Sequence, residues 1–288
     1  MNIQYFVDRR KKLGLSQRNL SDGVCTQATL SKFENNGQIP SLRILIQLCN
    51  RLDISLDDIM GINDSTSKKI VTSMNDVEFN LITSEFKKSR EIMKSIDVDL
   101  LKDDKDALMQ YYYLKGYLNI LDKLGDLFEA VFDFNQILTD LDPDGKTIFT
   151  FLAYTGMGMV YAKQEDSDKS EYYFSKVFND IYGMPIDDVS KIWRYISIIF
   201  YCGVYYSNQK DYETANTLLN YGIKVCADNH VTYYIARLYL QLAVNVCETK
   251  GTDEEVHGLL NRAKVFSEFN RNHNELIEID KMIEECDR

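Results

Sequence analysis

The chain has 288 residues, 45% of them apolar, with only 14 glycines and three prolines, which excludes disordered, collagen-like and low-complexity classes and suits two domains or one domain followed by a repeat array. Its 33 basic and 44 acidic residues leave a net charge of -11, so a protein coated with nucleic acid along its whole length is excluded. The average hides an asymmetry: residues 1–52 hold eight Lys/Arg against Asp8, Asp22 and Glu34, a local charge of +5, which leaves -16 on the remainder, and a polyanion is therefore expected to meet only the basic head.

Strict apolar/polar alternation persists nowhere between turn residues, whereas helical periodicity runs throughout. The head reads as five short helices, over 3–12, over 17–23 after a Ser16 cap, over 27–35 after a Thr26 cap, up to Leu52 after a Ser41 cap, and over 56–60 after a Ser55 cap. The polar stretch 61–73 lacks an apolar period and predicts a linker at 63–75, separating a domain of residues 1–62 from a repeat domain of residues 76–288.

In that second part the helices lengthen, and the small residues Gly116, Gly158, Gly203 and Ala243 recur at steps of 42, 45 and 40 residues. The fullest unit runs Ile199-x-x-Cys202-Gly203-x-x-Tyr206, then Lys210-Asp211-Tyr212, Ala215, Leu219 and Gly222, and its offsets recur in Tyr154-x-x-Met157-Gly158-x-x-Tyr161, Ser170, Phe174 and Val177. An aromatic, a small residue and an aromatic on one helix, then a tight turn and a small residue on the next, resemble the tetratricopeptide repeat, stretched beyond its usual length of about 34 residues. Five helix pairs are expected, beginning near Val77, Ala107, Ile148, Ser190 and Val231, with a closing helix over 275–285.

Residues 13–42 read LGLSQRNLSDGVCTQATLSKFENNGQIPSL, which resembles the lambda-repressor-like helix-turn-helix of the Cro/C1 and Xre type. Leu15, Leu20, Val24 and Leu30 are spaced to pack two short helices across a tight turn, Gly23 stands where the chain leaves the first of them, and 34–37 with 40–42 match the turn that follows the recognition helix, except that Asn36 intervenes before Gly37. The resemblance implies that the helix over 27–35 enters the major groove. Gln27 would then pair with adenine, Ala28 and Thr29 would meet a thymine methyl, and Ser31 or Lys32 would reach bases or backbone. Gln17, Arg18, Arg43, the amide-rich helix start at Thr26 and the basic run 9–12 are assigned to phosphates, with a solvated helix face as the alternative for each. The expected fold class is all-α, a lambda-repressor-like helix-turn-helix domain followed by a right-handed tetratricopeptide-like α-solenoid.

A solenoid of helix pairs offers a concave groove, and 19 tyrosines favour its use for an extended peptide. Tyr113, Tyr117, Tyr154 and Tyr201 are candidates, as are Arg237, Gln241 and Asn245, which fall at four-residue steps on one helix face; interhelix packing is the alternative for each. Taken whole, the chain resembles the peptide-pheromone-sensing regulators of Gram-positive bacteria, the PlcR-like branch most closely, through 24–34 and the Gln110-Tyr111-Tyr112-Tyr113 entry to the second pair. That resemblance implies a homodimer on a double-stranded DNA operator and a short signalling peptide in the groove that modulates DNA binding. A ligand-independent DNA-binding scaffold whose repeats recruit a protein partner is the competing expectation.

Cys25, Cys49, Cys202, Cys226, Cys247 and Cys286 lie far apart without a C-x-x-C pair or a secretory signal, and they read as reduced thiols in a cytoplasmic protein. The apolar run 196–206 is interrupted and too short to span a bilayer, so no membrane partner is expected. His230, His257 and His273 are scattered, and Asp140-x-Asp142-x-Asp144-Gly145 contains Pro143 and has Phe151 where a calcium loop needs Glu. No metal, cofactor or enzymatic activity is expected.

Overall fold

The computed structural model describes residues 1, 3–60, 65–183 and 192–286, and its contacts divide into two units, Met1–Thr72 and Ser73–Arg288. The first unit is built from α1 (Ile3–Lys12), α2 (Gln17–Ser21), α3 (Gln27–Asn36), α4 (Leu42–Leu52) and α5 (Leu56–Met60). Ser16 and Thr26 begin α2 and α3 as side-chain caps, accepting from the amides of Asn19 and Thr29, which satisfies donors that a helix start leaves without partners. Phe6, Leu20, Leu30, Phe33, Leu45, Leu48 and Leu52 are buried together, with Leu15 and Val24 packed against them, and Phe6 meets Phe33 edge to face at 5.1 Å. Each such side chain contributes roughly 1.5–3 kcal/mol through burial. The extra Asn36 lengthens α3 by one residue, and Gly37 then leaves the helix at φ 68°, its amide turned back to the carbonyls of Lys32 and Phe33. A left-handed cap of this kind favours glycine because it has no Cβ.

The second unit continues as helix pairs. They are α6 (Ser65–Ile82) with α7 (Phe86–Ser95), α8 (Lys105–Leu121) with α9 (Leu127–Asn135), α10 (Ile148–Lys163) with α11 (Ser167–Phe178), α12 (Ile192–Asn208) with α13 (Tyr212–Asp228), and α14 (Ile235–Glu248) with α15 (Asp253–Phe269). α16 (His273–Cys286) follows, and among the described residues no strand occurs. Asp126, Asp166, Asp211 and Thr252 cap the second helix of the last four pairs. The small residues at the repeat step are where the partner helix wedges a large side chain. A Cβ on Gly116 would lie 2.5 Å from the Phe134 ring, one on Gly158 2.6 Å from Phe174, and one on Gly203 2.8 Å from Leu219.

The polar stretch expected as a linker is helical from Ser65 onward. Met74, Val77 and Leu81 fall at i, i+3 and i+7, are buried, and draw the part of α6 from Ser73 onward into the repeat unit. Residues 61–64, which include the first two of that linker, and the expected fourth-pair start at Ser190 lie outside the described residues. Asp142 of the acidic loop accepts from the amides of Lys146 and Thr147 and from the hydroxyls of Thr147 and Thr150, so its carboxylate serves as a turn cap. Among the described residues no helix is long and apolar enough to cross a membrane.

Candidate nucleic-acid interface and the interior of the repeat unit

In the first unit a polar chain runs from the recognition helix to α1. Gln27 Nε2 donates to Gln17 Oε1 at 2.8 Å, Gln17 Nε2 donates to Glu34 Oε2 at 2.8 Å, and Arg10 donates to both oxygens of Glu34 at 2.7 and 2.8 Å. The Glu34 side chain is only 2% exposed, so the bidentate pair is shielded from solvent and holds α1 and α3 in register. Gln27 is thereby oriented while remaining exposed at the start of α3, beside exposed Thr26 and Ala28. Thr29 and Ser31 are half-buried, with Thr29 sharing a hydroxyl hydrogen bond with Thr26 and Ser31 accepting from Asn35. Arg18, Lys32 and Arg43 are exposed and Gln17 is half-buried.

The basic run 9–12 divides in two, which corrects its wholesale assignment to phosphates. Arg10 is committed to Glu34 and to the Leu15 carbonyl, and Arg9 donates to the Leu52 carbonyl at the end of α4. Lys11 and Lys12 are exposed. Arg51 is an internal tie as well, donating to the carbonyls of Leu20 and Asp22.

The second unit gathers tyrosines and arginines in its interior. Arg194 of α12, 4% exposed, donates through Nε and Nη2 to the two oxygens of Glu78 on α6 at 2.7 and 2.8 Å, and its guanidinium lies 4.8 Å over the Phe149 ring. Gln110 of α8 donates to Asn75 at 2.9 Å and to Glu78 at 3.4 Å. Tyr113 meets Tyr117 at 4.8 Å, and Tyr117 meets Tyr201 at 5.7 Å while donating to the Leu152 carbonyl. Burial pushes the Tyr113 and Tyr117 hydroxyls well above the usual tyrosine range, and it raises Tyr201 against the opposing pull of Arg237.

Arg237 donates to the Ser84 hydroxyl in the α6–α7 turn, faces Glu275 of α16 at 3.8 Å and lies over Tyr234. Burial opposes its charge, but Tyr201 and Glu275 outweigh that, and the guanidinium is raised above its usual range. Burial raises the Glu275 carboxyl, against the pull of Arg237. Asn274 of α16 donates to the Thr83 carbonyl in the α6–α7 turn, an exposed tie between the last helix and the first pair.

Of the residues expected to line a groove, Tyr113, Tyr117, Tyr201 and Arg237 thus come together, but packed against one another and not facing open solvent. Tyr154 lies elsewhere, half-buried against α11, tilted over Tyr173 with the Lys176 ammonium 5.9 Å from its ring. Asn245 departs furthest from expectation. Fully buried, it accepts from Ser207 at 2.7 Å and from Gln241 at 3.2 Å and donates to Asn216 at 2.7 Å. Its amide pins α14 to α12 and α13, and Gln241 is half-buried beside it. Glu78 and Arg194 were missed by sequence reasoning, although a carboxylate beside Val77 on the apolar stripe of α6 is a signal that it needs a buried cation.

Residues 8–59 match the helix-turn-helix family, and no curated protein sequence matches the chain. Among solved structures, Bacillus thuringiensis PlcR in complex with the peptide PapR7 and DNA superposes with a TM-score of 0.68 at 16% identity, over 96% of this chain and 98% of that one. ComR from S. thermophilus in complex with DNA and its signalling peptide ComS gives 0.61 at 14% identity, over 98% of each chain. The competence regulator ComR from Streptococcus vestibularis in complex with its cognate signalling peptide XIP gives 0.57 at 16% identity, over 99% of this chain and 97% of that one. The N-terminal unit is therefore a helix-turn-helix domain, and the chain as a whole has the fold of the PlcR and ComR structures.

Proposed function

We propose that the protein is a cytoplasmic, sequence-specific DNA-binding transcriptional regulator whose repeat unit dimerises and binds a short signalling peptide that modulates DNA binding. The observation that carries the DNA-binding half is the Arg10–Glu34–Gln17–Gln27 chain, which presents an oriented, exposed amide at the start of the recognition helix. Gln27 Nε2 keeps one hydrogen for adenine N7 while Oε1 accepts from N6, and Gln17 stands behind it. Ala28 and Thr29 meet a thymine methyl, Ser31 and Lys32 flank them, and Thr26, Arg18 and Arg43 serve phosphates. The peptide half is supported by the shared fold with proteins solved holding peptides and by the tyrosine-rich interior.

One head offers few contacts, so two heads of a homodimer should occupy half-sites about one helical turn, or a multiple of it, apart. Selection of duplexes from a random pool by the full chain tests this, with an enriched two-half-site sequence as the expected outcome. On the selected duplex, Gln27→Ala should cost about 1–3 kcal/mol while leaving binding to random DNA nearly intact. A pool that shows no enrichment would overturn the reading. One feature favours the second reading, a ligand-independent scaffold: Leu124 and Phe128, each 80% exposed, and Phe132, 58% exposed, form an apolar stripe at α9 on which a protein partner could dock.

A further inference from the structure

The interior of the repeat unit is occupied by the protein's own carboxylate. Arg194 and Glu78 lie 116 residues apart, on α12 and α6, and form a bidentate pair that is 5% and 2% exposed in its side chains. Around it stand Tyr113 and Phe149, with Gln110 donating to the same carboxylate. Beyond that pair, α6 is held by the buried side chains of Met74, Val77, Leu81 and Ile82, by Gln110 donating to Asn75, and through the turn that follows it by Asn274 at Thr83 and Arg237 at Ser84, while Asp76 and Phe79 are exposed. The helix runs unbroken from Ser65 to Ile82 across the boundary at Thr72/Ser73, so the segment carrying Glu78 is covalently the one that leads to the DNA-binding unit.

A buried guanidinium stripped of its counter-charge is strongly unfavourable, and a planar bidentate site accepts a carboxylate far better than a neutral amide. Any ligand that takes the place of α6 over Arg194 must therefore bring an anion of the same shape. Resting on the peptide reading above, we propose that Glu78 is a built-in stand-in for a carboxylate of the peptide. Without peptide, Glu78 seats α6 on Arg194; the peptide's carboxylate takes the same two hydrogen bonds and releases α6. The carboxylate is either the peptide's C-terminus or an acidic side chain.

The test uses the full chain and, as probes, heptapeptides selected on it from a random library. Each is resynthesised with a C-terminal carboxamide and, separately, with every Asp and Glu replaced by Asn and Gln. Binding is followed by fluorescence of Trp193, the sole tryptophan and the sequence neighbour of Arg194, and α6 by hydrogen exchange over residues 74–82. One of the two neutralised forms should bind at least ten-fold more weakly than its parent, which identifies the source of the carboxylate. The parent peptide should also speed exchange over 74–82.

Glu78→Gln should tighten the parent peptide at least ten-fold without tightening that weakened form. Glu78→Asp, which keeps a charge near Arg194 on a shorter arm, should show the same ordering with a smaller gain and serves where Glu78→Gln fails to fold. Peptides that bind equally well with and without carboxylates, or whose affinity ignores both substitutions, overturn the stand-in while leaving peptide binding intact. A library with no binding member overturns the peptide reading itself, and the stand-in with it.

Discussion

Replacing Asn245 with alanine separates a packing role from a ligand role. The wild-type amide is fully buried and makes three hydrogen bonds, to Ser207, Asn216 and Gln241. Each is worth about 0.5–1.5 kcal/mol net, and the buried Ser207 hydroxyl loses its acceptor, a desolvation cost of roughly 1–3 kcal/mol that overlaps with the first of those bonds. The sum is about 3 kcal/mol. For a unit of this size, 1 kcal/mol moves the midpoint by about 2–4 °C, so thermal unfolding followed by circular dichroism should show Asn245→Ala melting roughly 6–12 °C below wild type. Gln241→Ala gives up one bond at a half-buried site and should stay within about 1 kcal/mol of wild type by urea titration. If Asn245→Ala melts with the wild-type protein and instead loses peptide affinity, the interhelical assignment of the amide is wrong.

Asp133 carries a pH dependence. Burial, partly offset by Lys115 at 3.1 Å, raises its carboxyl to about 6. Because the folded chain then holds this proton more tightly than the unfolded chain does, stability is full below the ordinary carboxylate range and falls as pH rises from roughly 4 to 6. Asp133→Asn should therefore gain on wild type across that window, by on the order of 2–3 kcal/mol, and unfolding curves that run parallel from pH 4 to 8 would contradict it. Two glycine substitutions should have opposite signs. Gly116→Ala drives a Cβ into the Phe134 ring and should cost about 1–3 kcal/mol, whereas Gly258→Ala in α15 meets nothing within 4 Å and should stabilise by about 0.5–1 kcal/mol; chemical denaturation of the two variants checks both.

Short-range signals are legible in the sequence. Ser16 and Thr26 cap α2 and α3 as expected, whereas Ser41 stands at the N-cap of α4 without a side-chain bond, and Gly116, Gly158 and Gly203 sit where Phe134, Phe174 and Leu219 press in, because caps and close helix approach leave marks within a few residues. The boundary between the two units, Thr72/Ser73, falls inside the expected linker, but the segment is helical from Ser65, because the apolar stripe of Met74, Val77 and Leu81 begins at the end of a polar stretch whose composition hides the period. The interior was the hardest to read. Periodicity marks that Arg237, Gln241 and Asn245 share a helix face, yet their partners Ser84, Glu275 and Asn216 come from distant segments that no local pattern connects to them. Likewise, a tyrosine at helical spacing reads the same in a groove and in a core, and the difference comes from Phe149 and Glu78 beside Tyr113 and from Phe134 and Tyr201 beside Tyr117.

The proposed function rests on coupling between peptide binding in the repeat unit and DNA binding by the head. Its most direct test is the affinity of the full-length protein for its selected duplex, measured by fluorescence anisotropy at fixed salt, with and without a saturating selected peptide. A change of about 5- to 150-fold is expected, and it should disappear when the peptide's essential carboxylate is neutralised. An affinity for DNA that is unchanged at saturating peptide would contradict it.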